Sequence, residues 1–310
     1  MLLKNEDQIL PLKKGTKVAV IGDFAKTPRY QGAGSSLVNP AKKPEAILDV
    51  IGESGLSMTA YEQGYVRNRK ADKKLVHAAV EAAKKADVVL VFAGLDEISE
   101  SEGLDRTHMH MPLAQNQLID EITTVNSNVV VILSAGSSIE IPWYSHVKGI
   151  VHGYLGGQAG ASAMMHVLTG KVCPSGKLNE TYPMSYKDTP AYNYYPSKER
   201  SSEYRESLYV GYRYYTTVGK KVRFPFGFGL SYTSFSYENL SVDKEGVSFI
   251  LKNTGSVEGT EIAQLYVGKE SDTVFRPLRE LKGFSRVTLA PGEEKEVHIP
   301  FDDKTFRFYD

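Results

Sequence analysis

Residues 96–106 read Asp-Glu-Ile-Ser-Glu-Ser-Glu-Gly-Leu-Asp-Arg, which puts five carboxylates and one guanidinium into a single short segment. Such a cluster repels itself unless a ligand, a cation or a reaction makes use of it. One reaction that needs paired carboxyl groups is glycoside hydrolysis. There, one carboxylic acid protonates the departing oxygen, and a second carboxylate attacks or activates water. Neighbouring carboxylates favour the protonated form of one member, while a nearby Arg steadies the others. On composition alone, however, a charged loop is more often simply a solvated one. Carboxylates also bind Ca²⁺, but the alternating ligands and central Gly of an EF-hand are absent.

The flanking sequence indicates what must hold this segment. Asp87-Val-Val-Leu-Val-Phe-Ala-Gly94, immediately before it, is an unbroken apolar run of the kind that forms a strand buried on both faces. Lys17-Val-Ala-Val-Ile-Gly22, Val129-Val-Val-Ile-Leu-Ser-Ala135 and Gly149-Ile-Val-His-Gly153 repeat the pattern, and 57–61 is a further strand candidate. Between them, helical periodicity runs over 44–51, 71–86, 112–125 and 158–168. Strands alternating with helices predict a largely parallel sheet covered on both faces, an α/β fold arranged as a three-layer α/β/α sandwich over 1–185. Ligands of such sheets bind outside the carboxyl ends of the strands, where the acidic loop falls.

From about 186 to 232 the periodicity gives way to Pro, Tyr and Gly, and this stretch is expected to be an extended aromatic linker packed along a domain surface. Alternation then returns. The segments 237–242, 246–252, 260–268, 281–289 and 294–301 are strand candidates separated by turn signals such as Asn253-Thr-Gly255 and Ala290-Pro-Gly292. They predict a fibronectin III-like all-β sandwich over 233–310. A complete sandwich of that kind has about seven strands, so this one is expected to be truncated, with the alternation running out at 306–310.

Composition excludes several functions. The 37 basic and 37 acidic residues cancel, and no basic block tracks phosphates, so neither nucleic acid nor an anionic membrane is an expected partner. No apolar run approaches membrane-spanning length. Cys173 is the single cysteine, which rules out an internal disulfide and any multi-cysteine metal site, and the seven His never take a metal-ligand spacing. No metal and no cofactor are called for. No secretory signal pattern is visible, so a cytoplasmic location is expected. The 19 Tyr against one Trp suit packing, interfaces and sugar surfaces alike, and the tyrosine-rich stretch is a candidate surface for a homo-oligomer.

Beyond these readings, Glu100-Ser-Glu-Gly-Leu-Asp-Arg106 with Met111-Pro-Leu113 resembles the acid/base loop of family 3 glycoside hydrolases of the β-glucosidase type. The resemblance continues in order along nearly the whole chain. It takes in Leu2-Leu-Lys-Asn-Glu6 with Leu10-Pro-Leu12, Val18-Ala-Val-Ile-Gly22 followed by Gly32-Ala-Gly-Ser-Ser36, and Tyr154-Leu-Gly-Gly-Gln-Ala-Gly160. It goes on through Pro174-Ser-Gly-Lys-Leu178, Thr181-Tyr-Pro183, Tyr204-Arg-Glu206, Tyr209-Val-Gly-Tyr-Arg213 and Phe224-Pro-Phe-Gly-Phe-Gly-Leu-Ser-Tyr232. The resemblance implies that Glu102 is the general acid/base, with Glu100 the alternative. Asp105 and Arg106 then either tune Glu102 or form a purely structural pair. Gly34 and Ser35 are implied to line the outer sugar site, unless their loop is merely a tight strand-to-helix turn.

The resemblance also implies a missing part. The family's nucleophile, an aspartate, lies on a TIM barrel of about 250 residues, and nothing in this chain is long enough to be that barrel. A TIM-barrel domain, in the same parent chain or a separate one, is therefore an expected partner, and a small β-glucoside or oligosaccharide the expected substrate. The chain alone is expected to be inactive. Two other readings remain: a β-xylosidase of the same family, and a non-catalytic sugar-binding or interaction fragment. A nucleotide-binding α/β domain is disfavoured, because neither G-x-G-x-x-G after the first buried strand nor a P-loop occurs.

Overall fold

The computed structural model describes residues 1–67, 69–269 and 274–307. The chain divides into two compact units, Met1–Val172 and Cys173–Asp310.

The first unit is built on a six-stranded sheet. Its strands are β1 (Leu2–Asn5), β2 (Lys17–Ile21), β3 (Ser57–Glu62), β4 (Val88–Gly94), β5 (Val129–Ser134) and β6 (Gly149–His152), in spatial order β1-β6-β5-β4-β2-β3. All neighbours are parallel except β1, which closes one edge antiparallel to β6. The apolar runs behave as their composition requires: all seven residues of β4 are buried, because helices cover both faces. Helices α1 (Asp23–Lys26), α2 (Ile47–Val50) and α5 (Gly160–Leu168) pack on one side, and α3 (Lys73–Ala83) and α4 (Leu113–Thr123) on the other. Asp72 caps α3 by accepting the Lys74 N–H at 2.8 Å. Leu118, Ile119 and Ile122 of α4 are fully buried, each worth about 1.5–3 kcal/mol relative to exposure. The expected α/β sandwich is thus observed. Strand β1 is an addition to it, formed by a segment whose sequence carried no strand signal of its own.

The end of β4 is shaped by one glycine. Gly94 has φ 148°, and a Cβ there would sit 1.9 Å from the Ser134 carbonyl oxygen of β5. No other residue fits, and its N–H is held by Gln115 Oε1 of α4 at 2.7 Å. The chain leaves the sheet for the acidic loop directly after this fixed point.

In the second unit, β7 (Tyr182–Pro183) pairs with β8 (Val222–Phe224). The run Pro174 to Pro183 falls in this unit. Between these strands the aromatic stretch carries a short helix, α6 (Tyr212–Thr217). The five expected strands all form: β9 (Phe235–Val242), β10 (Gly246–Asn253), β11 (Gly259–Val267), β12 (Glu280–Leu289) and β13 (Glu294–Pro300). They make an antiparallel sheet β13-β10-β9 and a hairpin β11-β12. Val247, Phe249, Leu251, Ala263, Leu289, Val297 and Ile299 form the core between them. Buried Asn253 locks the turn after β10, donating to the Val257 and Leu289 carbonyls and accepting from the Thr233 hydroxyl. Tyr212 of the aromatic stretch stacks on Phe226 and meets Tyr266 of β11 edge-on. Of the terminal run 306–310, on which the expected truncation rests, 308–310 lie outside the described residues.

Candidate active site

The acidic loop follows β4 at the carboxyl end of the sheet, and its carboxylates have different fates. Asp96 is fully buried and accepts the Ser99 N–H at 2.8 Å, which turns the chain back over the strand end. Glu97 pairs with Arg67 at 2.8 Å. The same guanidinium holds Asp23 of α1 at 2.6 Å, donates to the Thr27 carbonyl, and lies over the Phe24 ring. Glu100 is tied more closely still. Its Oε2 accepts from Arg29 Nη1 at 2.9 Å and from the Gly136 N–H at 2.8 Å, and its Oε1 accepts from the Ser137 hydroxyl at 2.5 Å.

Arg29 makes this tie rigid. Its side chain is 1% exposed, and it also donates to the carbonyls of Leu95 and Glu100 at 2.7 and 2.9 Å. It thereby clips both ends of the first half of the loop. A buried cation of this kind requires an anionic partner, and Glu100 is that partner. Both oxygens of Glu100 are thus engaged, by Arg29 and Gly136 on one side and by Ser137 on the other.

Glu102 differs. Its side chain is exposed, and its Oε2 accepts the Ser35 N–H at 2.8 Å, while its own N–H donates to the Ala33 carbonyl at 3.2 Å. Its Oε1 has no donor among the described residues. Gly34 lies directly beneath it: the residue has φ 87°, and a Cβ there would sit 2.7 Å from Glu102 Cβ. The loop 32–36 therefore does bring Gly34 and Ser35 against Glu102, and glycine there is required by contact as well as by φ. Arg106 reaches across to Ser137 Oγ at 2.7 Å and the Ser138 carbonyl at 3.3 Å. Asp105 stays on the exposed side of the loop.

Arg29, Arg67 and Ser137 were not among the candidates from sequence. Arg29 and Ser137 do fall shortly after the buried strands β2 and β5, where residues reach the same end of the sheet. No group of three or more His, Cys, Asp or Glu side chains among the described residues is arranged to hold a metal ion, and no helix among them is long and apolar enough to cross a membrane.

This arrangement has close counterparts. A family model described as the glycosyl hydrolase family 3 C-terminal domain matches residues 1–232, and one described as a fibronectin type III-like domain matches 261–310. The chain is 47% identical to thermostable beta-glucosidase B of Acetivibrio thermocellus and 43% identical to an exo-alpha-(1->6)-L-arabinopyranosidase of Bifidobacterium breve. In both alignments all of this chain is covered, against 42% and 43% of those proteins. The crystal structure of a family 3 beta-glucosidase from Bifidobacterium adolescentis superposes with a TM-score of 0.94 at 42% identity, over 100% of this chain and 46% of that one. The chain thus spans less than half the length of these relatives.

Proposed function

The chain belongs to glycosyl hydrolase family 3, and we propose that it is the part of a retaining β-glucosidase that supplies the general acid/base, Glu102. The observation that carries this reading is the contrast within one loop. Asp96, Glu97 and Glu100 are spent on turns and ion pairs, and Asp105 is exposed, whereas Glu102 is exposed and also anchored by the Ser35 N–H. A general acid needs that combination: a fixed carbon skeleton and a carboxyl oxygen open to substrate.

In the first step the Glu102 carboxyl gives its proton to the glycosidic oxygen while a carboxylate on the other face of the sugar attacks the anomeric carbon. The departing alcohol leaves neutral, and a glycosyl-enzyme ester forms. In the second step Glu102, now a carboxylate, takes a proton from water as that water displaces the ester. Family 3 resemblance puts the attacking carboxylate on a barrel domain, and this chain spans 42% of its longer relative, so the nucleophile is assigned to such a domain. Gly34 and Ser35, which steady Glu102, then border the site where the departing group sits.

The test is Glu102→Ala in the polypeptide that also holds the attacking carboxylate. Turnover of an unactivated β-glucoside should fall by about 10²–10⁴-fold, and added azide should restore turnover of an activated aryl glucoside as the glycosyl azide. Undiminished turnover would overturn the assignment. The 310-residue chain alone should hydrolyse nothing, and measurable turnover by it would refute the external nucleophile. Aryl β-glucoside, β-xyloside and α-L-arabinopyranoside assayed side by side would decide the sugar, since relatives of similar identity are named for different ones.

A further inference from the structure

The loop after β5 takes no part in the chemistry just described, yet it meets the acid loop on both sides of Glu102. Ser137 Oγ donates to Glu100 Oε1 at 2.5 Å and accepts from Arg106 Nη1 at 2.7 Å. The adjacent Gly136 N–H holds Glu100 Oε2 at 2.8 Å. One hydroxyl thus spans the two residues that bracket the segment 101–105, with its proton and a lone pair both committed in fixed directions. A hydroxyl that merely capped its own turn would bond locally, as serines in turns commonly do. This one reaches 37 residues back and 31 residues back along the sequence.

We propose that Ser137 is a positioning residue for the acid. It ties the entry and the exit of the Glu102 segment to β5 and so fixes how far the carboxyl projects toward the departing oxygen. The proposal rests on the reading of Glu102 as the acid. Its consequence is selective. A displaced acid penalises substrates whose leaving group needs a proton, and spares those whose leaving group departs unaided.

The experiment uses the polypeptide that carries both this chain and the attacking carboxylate, with Ser137→Ala, Ser137→Thr and Glu102→Gln. Two glucosides are compared: an unactivated alkyl glucoside and 2,4-dinitrophenyl glucoside. For Ser137→Ala, kcat on the alkyl glucoside should fall by about 10–100-fold, the range expected for a displacement near 1 Å. First-step turnover of the dinitrophenyl glucoside should stay within about threefold, and Ser137→Thr, which keeps the hydroxyl, should recover most of the loss. Equal losses on both substrates, or no loss on either, would overturn the proposal. Glu102→Gln separates the two layers of the argument. If it shows the leaving-group selectivity and Ser137→Ala does not, the tie is refuted and the acid stands. If it shows none, the acid reading fails and the proposal with it. Should Ser137→Ala fold poorly in the long polypeptide, amide exchange on this chain gives a second readout. Exchange over 96–106 should accelerate in Ser137→Ala relative to Ser137→Thr, and unchanged protection there would refute the tie.

Discussion

Replacing Gly34 by Ala should damage the site far more than the loss of one glycine implies. Two costs can be read from the geometry. An L-residue at φ 87° is held in the left-handed region at about 1–2 kcal/mol. The added Cβ would also stand 2.7 Å from Glu102 Cβ, and 3.3 Å from both its N and O, where ordinary contact begins at 3.4 Å. About 0.7 Å of movement is therefore demanded of Glu102 or of its support, close to the ~1 Å misplacement that costs ~10²-fold in rate. Gly103 provides the control. It has φ 78°, with nothing within 4 Å of a Cβ, so Gly103→Ala meets the conformational cost without the collision. In urea titrations of this chain Gly103→Ala should lose about 1–2 kcal/mol, and Gly34→Ala more, because the collision adds to the same conformational cost. In the polypeptide with the attacking carboxylate, Gly34→Ala should lose about 10–100-fold in kcat on an unactivated glucoside, and Gly103→Ala only a few-fold. Equal kinetic losses would show that strain, rather than contact with Glu102, governs this site.

Other outcomes follow from the same geometry. Removing the Arg67 cation as Arg67→Met takes from Asp23 and Glu97 the partner they share, and should cost less than the ~3–5 kcal/mol of a fully buried pair. The double variant with Asp23→Asn should recover part of it in a double-mutant cycle, and strict additivity would refute the coupling. His152 sits with its ring 3.9 Å from that of Tyr154. Burial, reinforced by the nearby N-terminal ammonium and opposed by the Leu133 carbonyl, lowers its pKa from 6.5 to about 3. Between those values the unfolded chain binds a proton that the folded chain refuses, so stability is full above pH 6.5 and declines as pH falls. Unfolding titrations should give about 2 kcal/mol less at pH 5 than at pH 8 from this group, and His152→Asn should flatten that slope. An unchanged slope would assign the acid sensitivity elsewhere.

The sheet was legible because its strands are buried on both faces, and burial on both faces writes an unbroken apolar run into 88–94 and 129–134. The five sandwich strands were legible through alternation, as in β10, where buried and half-buried residues alternate. Strand β1 was not, since Leu-Leu-Lys-Asn is too short to carry a period and finds its strand partner in distant β6. In the site, the carboxylates stood out by type, and ordered motifs singled out Glu102. Which carboxylates would be consumed structurally was hidden, because Arg29, Arg67 and Ser137 announce themselves only by their partners. A lone Arg between Pro28 and Tyr30 looks like a surface residue until the sheet brings Leu95 and Glu100 around it.

The ties around Glu102 also bear on the order in which the molecule assembles. Arg29 meets Glu100 across 71 residues, Ser35 meets Glu102 across 67, and Ser137 meets Glu100 across 37. None can form until the intervening strands have paired, because loops of that length close only when packing on either side rewards them. The acidic loop 96–106 is therefore expected to be among the last regions to order during refolding and among the first to open during unfolding. Recovery of this loop's order should lag behind recovery of the sheet, which makes it a built-in reporter of whether the final docking of three separate loops has been completed.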